Sequence, residues 1–510
     1  MPVTSYPLPQ NQLFIAGDWR QGQGPEITSR FSADNSLNCV LNGASRQDAL
    51  DAIAAAKAAQ TNPAWISLKP HERATYLYAI SDGITANIDR IAYIQSRDTG
   101  KTLKETTALA QSAAGTFRYY AAICETGDQL MTVPRGDYLT LSTYEPLGVV
   151  AAITPWNSPI ASDAQKIAPA LAAGNAVILK PASWSPLVAL ELARIVQAAG
   201  LPKGLLSVLP GRGADIGDLL VDHPDIAKVS FTGGTETGRR IAAKAAAKLM
   251  PVSLELGGKS PTIVFDDCDI DLAIAGILFG VFSSTGQSCI AGTRLFVQNS
   301  LYPAFTQRLV TATQALKVGH PHDPTTQVAP MVHPDHRDSV ADMVARARQD
   351  GGTILTGGAP PDDPQLADGA YYLPTIIADL PNTSQICREE VFGPVLNILP
   401  FHDEADVIAQ SNDNQYGLAC GLWSRDFAKC WRVARAIQAG TVWINTYKQF
   451  SISTPFGGDK ASGMGREKGR DGMRAYMRQK SIYQDLGGTP HPWAGWPGAE
   501  TNEVKEAENV

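Results

Sequence analysis

Between about residues 44 and 125 apolar positions recur every three or four residues among Ala, Leu and charged side chains, as in RQDALDAIAAAKAAQ and along 73–94. That spacing predicts several helices. From 146 to 260 the pattern changes: short β-branched runs at 149–154, 176–179, 206–209 and 228–231 alternate with helix-like stretches that follow Gly or Pro turns. Strand and helix in alternation predict βαβ units around a parallel sheet. A second set, with candidate strands at 262–265, 294–297, 396–400 and 440–444 and a helix over 339–349, predicts a second α/β unit. The Gly-, Pro- and Asp-dense stretch 351–370 reads as a surface loop, and the chain from about 487 onward as a polar, acidic tail. No internal repeat or low-complexity block interrupts this order.

Composition narrows the functions open to such a chain. Its 510 residues are enough for about three domains. With 43 Lys and Arg against 50 Asp and Glu, a net charge of −7, and no run of five basic residues, the footprint of a nucleic-acid or anionic-membrane binder is missing. A small molecule is the expected partner. No window approaches 18 uninterrupted apolar residues, and the opening MPVTSYPLPQNQ has neither a basic nor an apolar leader segment, so a cytoplasmic location is expected. The seven cysteines (39, 124, 268, 289, 387, 420, 430) form no CxxC pair. Reduced thiols follow, rather than a disulfide framework or a zinc ribbon.

Several motifs carry candidate chemistry. TPWNSP at 154–159 follows a candidate strand, and open α/β sheets collect ligands at the carboxyl ends of strands. Asn157 there offers an amide that polarises a carbonyl oxygen, or is a turn residue between prolines. Lys180, ending the apolar run of LKPAS (179–183), is either a ligand for sugar hydroxyls or phosphate or a solvated loop lysine. FTGGTETG at 231–238 precedes a helix beginning near Thr235 and presents backbone amides to a pyrophosphate, or simply turns. Neither it nor PGRGADIG at 210–217 matches the GxGxxG fingerprint. Glu255 opens ELGGKSP (255–261); burial there would raise its pKa and suit it to general-base work, the alternative being an ordinary loop carboxylate. Cys289, in TGQSCIAGTR (285–294), is placed at or near a loop-to-helix transition, where a helix N-terminus favours a nucleophilic thiolate; the alternative is a small buried hydrophobe. HPHD at 320–323 and HPDH at 333–336 bring four histidines within 17 residues, but a Pro in each and no accompanying Glu argue against a metal site.

Taken together, PWN, KP, FTGGTETG, ELGGK, GQSC, EEVFGP (389–394) and PFGGDKASGMGRE (455–467), in that order along about 470 residues, resemble the NAD(P)-dependent aldehyde dehydrogenase superfamily. The resemblance implies two Rossmann-like open-sheet α/β domains and a small β oligomerisation flap. Residues 1–124 and 147–257 would bind cofactor, 258–476 would be catalytic, 125–146 and 477–495 would form the flap, and 496–510 a polar tail. It implies oxidation of an aldehyde to a carboxylic acid, by a homodimer or homotetramer using NAD or NADP. Cys289 would be the nucleophile giving a thiohemiacetal and then a thioester, Asn157 the oxyanion donor, Glu255 the base for hydrolysis, and Lys166 a support for proton relay. Thr154, Trp156, Lys180, Ser183, Gly213, Gly233, Gly234, Leu256, Glu390 and Phe392 would bind cofactor.

Two departures from the family pattern shape the expectations. NAD-preferring members usually carry Glu three residues after the KP lysine; here Ser183 removes the repulsion of a 2′-phosphate, so NADP use is expected. Ser158, Ser162 and Gln165 stand where members taking simple aliphatic aldehydes are aromatic or apolar, which implies a polar substrate. Ser288, Ile290 and Phe456 would complete the pocket. Lys448 is placed at the tunnel mouth, either attracting the anionic tail of a semialdehyde or simply solvated. Two other readings remain: a branch acylating coenzyme A, which tends to lack the ELGGK glutamate, and a non-catalytic scaffold, which needs none of Cys289, Glu255 and Asn157.

Overall fold

The computed structural model describes residues 4–126, 130–488 and 493, so most of the acidic tail expected after 487 lies outside the described residues. Two large sheets carry the chain. The first runs in the order Asp18–Arg20, Leu13–Ile15, Leu206–Val208, Ala176–Lys180, Val149–Ile153, Ile226–Thr232, Val252–Glu255, Gly463–Met464. The five strands from Leu206–Val208 to Val252–Glu255 are parallel. Val149–Ile153 and Ala176–Lys180 are buried at every position, as strands covered by helices on both faces must be. Register matters more than order here. Ile153 pairs with both Lys180 and Phe231, and Thr232 with Glu255, so these strands end along one edge. The residues just beyond them emerge side by side.

The second sheet is ordered Thr353–Thr356, Thr375–Ala378, Val395–Phe401, Arg294–Gln298, Pro261–Val264, Ala419–Trp423, Thr441–Ile444, all parallel except the first strand. Only five residues, 256–260, separate the end of Val252–Glu255 in the first sheet from Pro261–Val264 in the second. The short strand Gly463–Met464 returns to pair antiparallel with Leu254 and Glu255, which locks late chain onto the first sheet. A third sheet joins Leu130–Thr132, Tyr138–Pro146 and Met477–Asp485, and leaves Met131 and Tyr483 largely exposed.

The helices of the 44–125 stretch form where amphipathic spacing is framed by caps. Ser45 with Asp48, and Thr102 with Glu105, close reciprocal capping boxes on Arg46–Thr61 and Leu103–Ile123. Gly100, at φ +77°, ends Ile88–Thr99 in a left-handed turn. The surface-loop reading of 351–370 needs correction, because Thr353–Thr356 is an edge strand antiparallel to Thr375–Ala378. Four half-exposed residues between glycines carry too little alternation to register as a strand. Thr375–Ala378 and Ala419–Trp423, each buried throughout, are two further strands that the sequence pattern did not mark.

Candidate active site

Cys289 lies in a turn between the short helical turn Ser283–Gly286 and the strand Arg294–Gln298, at the seam of the two large sheets. This corrects the expected loop-to-helix placement: the helix Ile270–Phe282 precedes the cysteine, and no helix begins after it before the strand. The expected stabilisation by a helix beginning at the cysteine's own segment is therefore missing. Burial instead pushes the thiol up to about 12, reinforced by the negative charges of Glu390 and Glu255 and opposed by Lys448. The turn is held firmly. Ser284 and Thr285 take left-handed backbone angles, φ +57° and +54°, rare for such residues. Ser284 N donates to Glu105 Oε1 at 2.6 Å, Thr285 Oγ1 to the Ala329 carbonyl at 2.8 Å, and the Tyr447 hydroxyl to the Ile290 carbonyl at 2.9 Å. Ile290 and Phe456 pack beside Cys289, with Trp443 and Tyr447 in the same apolar cluster, and Ser288 is half-buried next to it.

Asn157 follows Val149–Ile153 at the shared strand edge, and its side-chain amide donates to the Gln287 carbonyl at 3.1 Å. That bond brings the amide of one sheet to the cysteine turn of the other. Glu255, the last residue of its strand, is buried, and its Oε2 has no hydrogen-bond partner among the described residues. Its carboxyl is held well above the usual range, first by burial and then by the charge of Glu467, while Lys166, Arg466 and Lys468 pull the other way. Lys166 donates to Glu467 Oε1 at 2.5 Å and to Ser230 Oγ at 3.1 Å, and all three are buried. Glu467 was not singled out from sequence. It belongs to the quoted GMGRE run, but only the return of 463–467 across the first sheet brings it to Glu255.

A cavity of about 320 Å³ opens along the strand edge, lined by Thr154, Trp156, Lys180, Ser183, Gly213, Gly233 and Gly234. Its features suit a dinucleotide. The helix Thr235–Ala247 begins at Gly234 with no side chain capping its amides, and a Cβ at Gly213 or Gly234 would meet only open space. Thr154 adds a buried hydroxyl to the lining. Burial pushes Lys180 down to about 8, against the pull of Asp215. Arg240, not singled out from sequence, lines the same cavity, as does Asp218, which is paired with Lys244 at 3.3 Å. Leu256, Glu390 and Phe392 stand outside that lining. Glu390 accepts from Gly258 N at 2.9 Å, and burial pushes its carboxyl up to about 7. Phe392, at φ +56°, meets Trp156 edge-on with ring centres 5.2 Å apart.

Ser158, Ser162 and Gln165 are half-buried and spaced i, i+4, i+7 at the start of helix Pro159–Ala172, so they share one face. Lys448 is not a freely solvated side chain: its Nζ donates to Ser283 Oγ at 2.9 Å, and burial pushes it down to about 7. The histidines of the two HP motifs serve packing. His333 stacks on Trp184 with ring centres 5.0 Å apart and caps helix Pro334–Gln349, while His320 and His322 pack on Phe31.

The aldehyde dehydrogenase family profile matches residues 19–482. The betaine aldehyde dehydrogenase of Bacillus subtilis (strain 168) is 38% identical over 475 residues, covering 93% of this chain and 97% of that protein. Betaine aldehyde dehydrogenase 2 of Rhizobium meliloti (strain 1021) is 42% identical over 482 residues, covering 94% and 98%. A crystal structure of betaine aldehyde dehydrogenase from Staphylococcus aureus in complex with NAD+ superposes with a TM-score of 0.93 at 35% identity, over 95% of this chain and 97% of that one.

Proposed function

The chain belongs to the aldehyde dehydrogenase family, converting a polar aldehyde to its carboxylic acid with a nicotinamide cofactor, and on that premise we propose that Cys289 is the nucleophile, Asn157 the oxyanion donor and Glu255 the base. The observation that carries the assignment is the Asn157 to Gln287 bond, which sets an amide donor beside the nucleophile's turn while the charge of Glu255 reaches the same thiol.

Cys289 Sγ bonds to the aldehyde carbon, and the carbonyl oxygen becomes an alkoxide held by the Asn157 amide and the Cys289 backbone N–H. At rest the thiol is protonated, so its proton must leave during attack. Glu255, whose raised affinity for protons matches that task, takes it. When bound, NAD or NADP supplies the acceptor for the hydride lost from the thiohemiacetal carbon. Glu255 gives the first proton up to solvent, then takes one from the water that attacks the Cys289 thioester and returns it to the departing thiolate, releasing the acid and restoring the thiol. Lys166 and Glu467 keep the charge beside Glu255 balanced. Thr154, Lys180, Ser183, Gly233 and Gly234 would hold the dinucleotide along their cavity, with Glu390 and Phe392 at its catalytic end.

Lys180 and Arg240 in the cavity, with a neutral Ser183 between strand and helix, support use of NADP. The exposed Met131 and Tyr483 of the three-stranded sheet support a homo-oligomer, and seven free thiols support a cytoplasmic location. None of the described helices is long and apolar enough to cross a membrane. The test is nicotinamide absorbance with each cofactor against a panel of aldehydes: reduced cofactor should accumulate with the parent and not with Cys289→Ala. Parental turnover by that variant would remove Cys289 from the mechanism.

A further inference from the structure

Lys468 occupies an aromatic seat beside the thiol. Its Nζ stands 3.8 Å over the Phe450 ring centre and 5.4 Å over that of Phe456, which meet edge-on at 5.4 Å; Trp443 meets Phe450 edge-on at 5.5 Å. Rings arranged like this attract a cation, and they are the means by which proteins recognise quaternary ammonium groups. Here the chain's own ammonium fills the place. It is fixed there, because the adjacent Glu467 exchanges two backbone hydrogen bonds with Phe456, at 2.7 and 2.8 Å.

A second cation approaches from another loop. Lys448 Nζ donates to Ser283 Oγ, six residues before Cys289, and its charge reaches the thiol, as does that of Lys468. The charged and titratable groups facing Lys468 are Glu467, Glu255 and Cys289; those facing Lys448 are Lys101, Glu105 and Cys289. Two of the three carboxylates are already engaged, Glu467 with Lys166 and Glu105 with Thr102 and Ser284, and the third, Glu255, is held well above the usual carboxylate range by burial. Among the described residues neither ammonium has a carboxylate within 4.0 Å. Lys448 has a hydroxyl and Lys468 two ring faces as partners, so neither half-buried ammonium is neutralised, and an anion that joins them in use is favoured. The face formed by Ser158, Ser162 and Gln165 adds hydrogen-bonding groups and no aromatic ring.

Resting on the aldehyde dehydrogenase reading, we propose that Lys448 and Lys468 select an aldehyde with an anionic tail, and that Lys468 excludes the quaternary-ammonium aldehyde for which the relatives are named. The specificity is a charge reversal within a shared reaction. Attraction comes from the two lysines, and rejection of the cation from a seat already taken.

The experiment compares succinate semialdehyde, propanal and betaine aldehyde as anionic, neutral and cationic probes, with the parent and with Lys448→Met, Lys468→Met, Lys468→Arg and the double Met variant. For the parent, kcat/KM should fall in the order anionic, neutral, cationic. The anionic-to-neutral ratio should drop about tenfold or more in the double variant, through KM, and be kept by Lys468→Arg. Lys468→Met should raise kcat/KM for betaine aldehyde. In the parent itself, the lysines at about 7 and about 8 lose charge as pH rises, so KM for the semialdehyde should climb relative to propanal between about pH 6.5 and about pH 9. Betaine aldehyde as the best parental substrate, or a ratio untouched by the double variant, overturns the proposal. Propanal separates the two claims: no turnover with any aldehyde defeats the enzymatic reading, whereas propanal turnover with indifference to charge defeats only the selection.

Discussion

Lys166 and Glu467, 301 positions apart in the chain, meet as a buried ion pair with Nζ 2.5 Å from Oε1, directly beside the carboxyl of Glu255. The pair acts on that carboxyl with opposite signs, Glu467 raising its affinity for a proton and Lys166 lowering it. Removing Glu467 should therefore move the rise of kcat with pH to lower pH, and removing Lys166 should move it higher. Glu467→Gln and Lys166→Met pH profiles check the signs, and shifts in the same direction would contradict the arrangement. Each variant also leaves one buried charge unpaired, so a loss of about 3 to 5 kcal/mol in unfolding free energy is expected.

Replacing the base separates the two halves of the reaction. Glu255→Gln should still release one equivalent of reduced cofactor in a burst, slower than the parent's because the thiol proton must pass to water instead, and then turn over about 10² to 10⁴ times more slowly than the parent. Rapid-mixing absorbance measures both phases. Steady turnover at the parental rate would show that another group activates the water.

In the parent, the raised proton affinity of Glu255 makes its basic form scarce at low pH. The sign is simple: a base that must be unprotonated works better as pH climbs through its pKa, and here that pKa lies above the ordinary carboxylate range. Steady-state kcat with propanal should still be rising with pH above the range in which an ordinary carboxylate has finished titrating. A flat profile from about pH 5 upward would match an unperturbed carboxylate instead.

Cofactor choice is expected to turn on Ser183. A carboxylate introduced by Ser183→Glu would stand in the cavity with Lys180 and repel a 2′-phosphate, so the NADP-to-NAD ratio of kcat/KM should fall about tenfold or more. An unchanged ratio would remove Ser183 from cofactor selection and direct attention to Arg240.

Close approach at Gly258 positions the nucleophile. A Cβ there would come within 2.4 Å of the Cys289 carbonyl oxygen, a backbone atom that cannot swing aside. Gly258→Ala should displace the cysteine turn and reduce kcat by about 10²-fold, the scale of a misplacement near 1 Å. Iodoacetamide labelling of Cys289 and a thermal melt distinguish a moved nucleophile from an unfolded protein.

Much of this protein is legible along the chain because its strongest signals are local. The capped amphipathic helices before residue 125 and the apolar strands Val149–Ile153, Ala176–Lys180 and Arg294–Gln298 follow from periodicity and caps carried by neighbouring residues. Short strands carry little periodicity: Pro261–Val264 stands out as an apolar run, whereas Thr353–Thr356, half-exposed between glycines, and Thr375–Ala378 do not. Asn157, Glu255 and Cys289 were each visible as candidates at the ends of apolar runs or among small residues. None of them alone indicates chemistry, since a turn asparagine, a loop carboxylate or a buried thiol has the same local appearance.

Tertiary structure decided what surrounds these groups. Parallel register placed the strand ends on one edge, five residues joined that edge to the second sheet, and the return of 463–468 delivered Glu467 to Lys166 and Lys468 to Phe450. The cysteine fell after a helix rather than before one, so its surroundings raise the thiol's pKa instead of lowering it. The physical reason is range. Helical period, capping and strand alternation act over a few residues and are written in adjacent letters, whereas burial and charge act through space on whichever distant segments the fold brings together.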